Sequence, residues 1–140
     1  MAKRAEKQPL VKIDWTALVK AAKDSRKRAY APYSKFPVGA AILGASGRIY
    51  AGCNVENSSY GLTVCAERNA IGLAVLEGEK RILAVAVAAG AKPCPPCGAC
   101  RQVLAEFGGA EVPVALVGGA SRMVHQLGDL LPFAFDKSFL

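Results

Sequence analysis

The chain has 140 residues, 52% hydrophobic and 21% charged, which suits one domain with one core and excludes a disordered chain. Its net charge of +7 lies before residue 36: ten basic and three acidic residues stand up to Lys35, and the remainder is neutral. The longest nearly apolar stretch, residues 82–91, is about half of the ~20 residues of a membrane helix, and residues 1–9 are charged without an apolar run, so neither a membrane span nor a signal peptide is expected.

Residues 1–12 read as a flexible basic arm, followed by a single domain over 13–140. The arm and the next helix have two readings: a nucleic-acid contact, or a solvated tail plus the wet face of a helix. The second is favoured, because only Trp15 and Tyr30 are interleaved as stacking platforms. Asp14 can cap a helix to about residue 29, with Trp15, Leu18, Val19 and Ala22 on one side. Pro32 biases Ala31 away from helix. Residues 36–43 and 48–54 read as a hairpin around a turn at 44–47. A loop at 58–64 precedes a helix over 65–76. Residues 81–89 form a continuous apolar strand, buried on both faces. A proline-rich loop at 91–96 leads to a helix over 98–107, closed by Gly108-Gly109. Another buried strand covers 112–117. The signal at 124–127 is weak, and Leu130-Leu131-Pro132 leads into an aromatic tail. The order α-β-β-α-β-α-β predicts an α/β layered sheet with helices packed on it. A cytoplasmic setting is expected, with the five cysteines as reduced thiols.

Cys65-Ala66-Glu67 and Pro96-Cys97-Gly98-Ala99-Cys100 carry the chemistry. Cys97 and Cys100 stand three apart at the start of a helix, so their sulfurs share a face. Cys65 starts another helix, and helix N-termini favour thiolates. Three thiolates leave one corner of a zinc tetrahedron open for a water, whereas a structural site uses four ligands. Glu67 stands two residues past a ligand, in reach of that water, as general base and acid. Arg68 can offset the excess negative charge by hydrogen bonding to the sulfurs. Cys94 could instead complete a closed four-cysteine site. The open site is favoured because Cys-x-Glu with Pro-Cys-x-x-Cys matches the zinc deaminase signature, with Cys for His. Cys53 reads as a packing residue, and His125 as a surface or helix-end residue.

At these motifs the sequence resembles the short, all-cysteine class of cytidine deaminases. Tyr33-Ser34-Lys35-Phe36-Pro37-Val38-Gly39-Ala40, Gly52-Cys53-Asn54-Val55-Glu56-Asn57 and Leu130-Leu131-Pro132 extend the resemblance over residues 15–135. It implies a three-layer cytidine-deaminase-like fold with a five-stranded mixed sheet flanked by helices. It further implies one Zn²⁺ per subunit, a homotetramer, and a nucleoside as the partner rather than nucleic acid or a membrane. The reaction it implies is hydrolysis of cytidine and deoxycytidine to uridine and deoxyuridine in pyrimidine salvage, with Glu67 carrying the protons. Asn54 and Glu56 match its ribose-binding pair, and residues two apart on a strand do point the same way. Phe36 matches its base-stacking aromatic, the Ala66 N–H its contact to the base carbonyl, and Phe135 an aromatic lent by a neighbouring subunit. Pro95 departs from a frequent Ser and Asn69 from a usual Thr, and Phe133 adds a second aromatic beside Phe135.

Overall fold

A computed structural model describes residues 11–140, so most of the expected basic arm lies outside the described residues. Asp14 starts the first helix as expected. Its side chain accepts a hydrogen bond from the Ala17 N–H at 3.0 Å, and α1 spans Trp15–Arg26. Such a cap contributes about 1 kcal/mol. The helix ends before the expected residue 29. Residues 27–29 wind on through i→i−3 bonds, and Tyr30 then leaves the spiral to donate its N–H to the Asn54 carbonyl at 3.0 Å.

β1 (Gly39–Gly44) and β2 (Ile49–Cys53) form the expected hairpin. A 3₁₀ turn at Tyr60–Leu62 leads to α2 (Ala66–Leu76), β3 (Ile82–Ala88) and α3 (Gly98–Phe107). β4 (Pro113–Gly118), β5 (Ser121–Gln126) and a short α4 (Leu127–Leu130) follow. The weak signal at 124–127 is a full strand displaced toward the N-terminus. It is an edge strand with nearly every residue exposed, which is why no apolar alternation marks it. His125 sits within β5 opposite Val114, not at a helix end.

The sheet order is β2-β1-β3-β4-β5. Only β3 and β4 pair in parallel, and α3 is the crossover that parallel pairing needs. The mixed five-stranded sheet expected from the resemblance is therefore present. Its two faces are packed differently. On one, α1 contributes Leu18 and Ala22 against Ala41, Ala84, Ala86, Ala88 and Ala115. On the other, α2 and α3 pack Ala70, Ile71 and Leu104 against Ile42, Val85, Val87, Val114 and Leu116. Small residues let α1 lie close to its face, while the larger side chains point to α2 and α3. A register shift between Leu43 and Gly44 puts Ile82 opposite Gly44. That bulge reverses the face parity at the start of β3, so Ile82 joins the side of Val85 while Leu83 packs beneath α1.

Two glycines fix how closely the chain approaches itself around the site. A Cβ on Gly52 would lie 2.5 Å from the Ala70 nitrogen and 2.7 Å from the Ala66 carbonyl, so only glycine lets the first turn of α2 sit on β2. A Cβ on Gly118 would collide with the Lys92 carbonyl group, so glycine there lets the loop that delivers Cys97 lie against the end of β4. No helix among the described residues is long and apolar enough to cross a membrane.

Candidate active site

Two helix N-termini meet on the α2–α3 face. Cys65 is the N-cap of α2 and Cys97 the N-cap of α3, both with extended backbone, and Cys100 lies in the first turn of α3. The three Sγ atoms fall within 4.8 Å of one another, with Cys65 and Cys97 3.8 Å apart. A tetrahedral ion with Zn–S bonds of ~2.3 Å sets its sulfurs ~3.8 Å apart, so the donor set and its spacing fit zinc. Cys94 is not part of this cluster; its Sγ lies 3.6 Å from the Pro95 carbonyl. Cys53 is half-buried at the end of β2 and also stands outside the cluster.

Arg68 lies one helical turn beyond Cys65 and donates from Nη2 to its Sγ at 3.2 Å. Hydrogen bonds to Cys65 and then to Cys100 raise the Arg68 pKa, so the guanidinium stays charged. Its Nε is buried without a hydrogen-bond partner. This surplus of positive donor capacity beside three sulfurs matches thiolate ligands rather than neutral thiols. Cys97 is held below the ordinary thiol range: burial opposes the shift, but hydrogen bonds from the Cys100 backbone and from the Cys100 and Cys65 side chains outweigh it. Cys100 is pushed up, by burial first and by the Glu67 charge second.

Glu67 is 4% exposed, and the Cys100 thiol donates to its Oε2 at 3.5 Å. Burial raises its pKa, against the lowering effects of its own backbone N–H, Cys100 and Arg68. A buried carboxyl with a raised pKa is suited to taking up and returning a proton near neutrality.

Above this floor opens a cavity of about 270 Å³. Its lining includes Cys65, Ala66, Glu67 and Cys97 beside the thiol cluster (the floor), the apolar Val38, Val87 and Ala89, and Phe36, Asn54 and Glu56 (the entrance). The structure thus brings most of the expected residues to one cavity. Ala66 is the first residue of α2, so its N–H is one of the four without an intrahelical acceptor.

The entrance residues are busier than the sequence suggests. The Asn54 carboxamide accepts from the Val38 N–H and donates to the Phe36 carbonyl, both at 2.9 Å. The Val38 carbonyl still accepts from the Asn54 backbone N–H at 3.1 Å, but the carboxamide takes the place of ladder bonds at the Val38 N–H and the Phe36 carbonyl, and β1 starts at Gly39 rather than at the expected 36. Glu56 accepts from the Tyr33 N–H at 2.9 Å, the Ser34 N–H at 3.1 Å and the Ser34 hydroxyl at 2.5 Å. These bonds, the Ser34 hydroxyl first, hold its carboxyl below the usual range. Phe36 remains 44% exposed. Between Ser34 and Phe36, Lys35 takes a positive φ of 56°. Phe135 does not line this cavity. It is 58% exposed, stacks on Phe139 at 5.8 Å between ring centroids, and accepts a bond from Gln102 on its carbonyl. Phe133 is 98% exposed. Ser34, Thr63, Cys94 and Pro95 also line the cavity, and the sequence reading did not place them there. Proximity to Cys65 and Cys97 in the chain is the one signal that points to Thr63, Cys94 and Pro95. The unusual Asn69 has a structural part: its amide donates to the Cys53 carbonyl at 2.8 Å and ties α2 to β2.

Cys-x-Glu at one helix N-terminus facing Pro-Cys-x-x-Cys at another marks the hydrolytic deaminases of nucleobases, and that is the class this fold and site define. The chain belongs to the cytidine deaminase family. Residues 14–116 match the family model for the cytidine and deoxycytidylate deaminase zinc-binding region. The chain is 48% identical over 130 residues to a cytidine deaminase of Sporosarcina psychrophila, covering 91% of this chain and 96% of that one. A crystal structure of cytidine deaminase from Burkholderia pseudomallei superposes with a TM-score of 0.84 at 46% identity, covering 88% of this chain and all (100%) of that chain. The Mycobacterium tuberculosis enzyme superposes with a TM-score of 0.79 at 45% identity, covering 89% and 99%.

Proposed function

We propose that the chain is a zinc-dependent hydrolase converting cytidine and deoxycytidine, with water, to uridine and deoxyuridine and ammonia, as in pyrimidine salvage. In this reading it works in the cytoplasm as a homotetramer with one zinc ion per subunit, held by Cys65, Cys97 and Cys100. The observation that carries the reading is the Glu67 carboxyl, 4% exposed at the floor of the cavity and 3.5 Å from the sulfur of Cys100.

When bound, zinc supplies a Lewis acid that lowers the pKa of a water toward ~7. Glu67 accepts a proton from the attacking water and passes it to N3 of the base. The water oxygen bonds to C4, and as the bond from C4 to the amino nitrogen breaks, Glu67 takes the remaining proton of that oxygen and delivers it to the nitrogen, which leaves as ammonia while C4 becomes a carbonyl. The raised Glu67 pKa supports both transfers, since the group must hold each proton between its uptake and its delivery. Arg68 offsets the excess charge of the three thiolates, which supports retention of Lewis acidity. The Ala66 N–H holds the base carbonyl, Phe36 stacks on the base, and Asn54 and Glu56 hold ribose hydroxyls. Phe135 closes the site of a neighbouring subunit; its exposure away from its own cavity suits that role.

The test is loss of cytidine absorbance on incubation with the zinc-loaded protein, run beside a panel of free bases, nucleosides and nucleotides. Turnover of cytidine and deoxycytidine with none of free cytosine is expected. Absence of turnover by protein shown to contain zinc overturns the proposal.

A further inference from the structure

Among the described residues, the site described above shares its end of the sheet with a cavity on the opposite face. β3 and β4 are the parallel pair, in register from Val85↔Val114 to Ala88↔Val117. Ligand crevices in α/β sheets open beyond the carboxyl ends of such strands. The active-site cavity takes up that end on the α2–α3 face, with Ala89 in its wall. On the α1 face, the same strand ends and the last turn of α1 enclose a second cavity of about 270 Å³, and Ala89 lines this one too.

Its charged lining is Lys23, Arg26 and Lys27, with no carboxylate among the lining residues. Basic residues in a last helical turn offset the macrodipole, but that role needs no concavity. Asp24, the acid beside them, is occupied by Lys20 at 2.5 Å and Lys27 at 3.5 Å. Lys23 is in no ion pair among the described residues. Arg26 uses its Nε on the Pro37 carbonyl at 3.0 Å, and its terminal nitrogens have no partner among the described residues. A rigid guanidinium fork beside the Lys23 ammonium, with the Lys27 ammonium shared with Asp24, is a donor set that phosphate groups recruit.

We infer that this second cavity binds a phosphate-bearing anion, either a free polyphosphate or the polyphosphate of a nucleotide. The site is linked to the other face. Arg26 holds Pro37, which lies between Phe36 and Val38 of the nucleoside cavity. An anion on the terminal nitrogens steadies Arg26, and through it the entrance segment. By linkage, nucleoside and anion then raise each other's affinity by the same factor.

The test titrates inorganic pyrophosphate into the zinc-loaded full chain at ionic strength held constant with sodium chloride, following thermal unfolding. A saturable rise in Tm of about 3–5 °C is expected at tenfold excess over Kd. The rise should vanish in Lys23→Gln/Lys27→Gln and persist in Lys137→Gln. Both lysines are surface groups; the double variant should keep the parent's cytidine KM without anion, and its Tm shift is read against its own anion-free Tm. A full shift with pyrophosphate identifies free polyphosphate; a shift with adenosine triphosphate alone identifies a nucleotide. No saturable shift with either, or a shift that survives the double substitution, overturns the site. In turnover assays, pyrophosphate should lower the cytidine KM about fivefold at unchanged kcat. An unchanged KM alongside a specific Tm shift overturns the link to Phe36 and leaves the binding site standing.

Discussion

The floor and the entrance of the active-site cavity are held by different kinds of structure. The floor is two helix N-termini pressed onto a sheet: Cys65 and Cys97 are caps, Glu67 and Cys100 are buried, and Gly52 lets the first turn of α2 lie against β2. The entrance is loop. Phe36 is 44% exposed, and its segment is held by the Asn54 carboxamide, the Glu56 carboxylate and a single backbone bond from the Asn54 N–H to the Val38 carbonyl. In the proposed reading, the groups that hold a metal and a proton sit at helix starts anchored on the sheet, with Glu67 and Cys100 buried there. In the same reading, the groups that admit and release a nucleoside sit on a segment held largely by side-chain hydrogen bonds. Changes at the floor should therefore act on kcat, metal content or folding, and changes at the entrance on KM.

The largest effect expected is at Glu67. Glu67→Gln keeps the shape of the floor and removes the proton carrier, so kcat should fall by about 10²–10⁴ with zinc content unchanged by elemental analysis. A variant that loses its zinc would move Glu67 from proton transfer to metal retention. Gly52→Ala comes next. Its Cβ would meet the Ala70 nitrogen at 2.5 Å, so a loss of about 1–3 kcal/mol is expected, read as a Tm lower by about 4–10 °C. Gly72→Ala, in the same helix with nothing within 4 Å of its Cβ, should instead be neutral or stabilising.

At the entrance, Glu56→Gln should raise the cytidine KM about tenfold and change kcat less, since the substituted amide weakens the hold on residues 33 and 34. Its pH dependence has a definite sign. The folded Glu56 carboxyl titrates below its ordinary value of 4.5. Its contribution is thus complete above that value and is lost as pH falls through the lower folded one. The wild-type KM should rise on acidification below pH 4.5, and Glu56→Gln should flatten that rise. Cys94→Ser carries the smallest effect: zinc retained and kcat/KM within about twofold, because Cys94 lies outside the thiol cluster. Loss of zinc in this variant would restore the four-cysteine site and dissolve the distinction between floor and entrance.

The parts legible in the sequence are those made by local physics. Asp14 as a cap, α3 over 98–107, the hairpin and the central apolar strand follow from periodicity and end signals within each segment. The cluster of Cys65, Cys97 and Cys100 follows from spacing on two helix starts together with the signature it matches. The rest depends on atoms distant in the chain. Asn54 and Glu56 bond the backbone of residues 33–38, some 16 to 23 positions away. The Leu43/Gly44 bulge decides which way Ile82 faces, and β5 exists because β4 offers it an edge. The basic cavity on the α1 face is assembled by strand ends meeting a helix end. Periodicity and capping act over one or two helical turns, and so a linear reading recovers them. Which backbone groups need a side-chain partner, and which cations share a hollow, is settled only when the layers close.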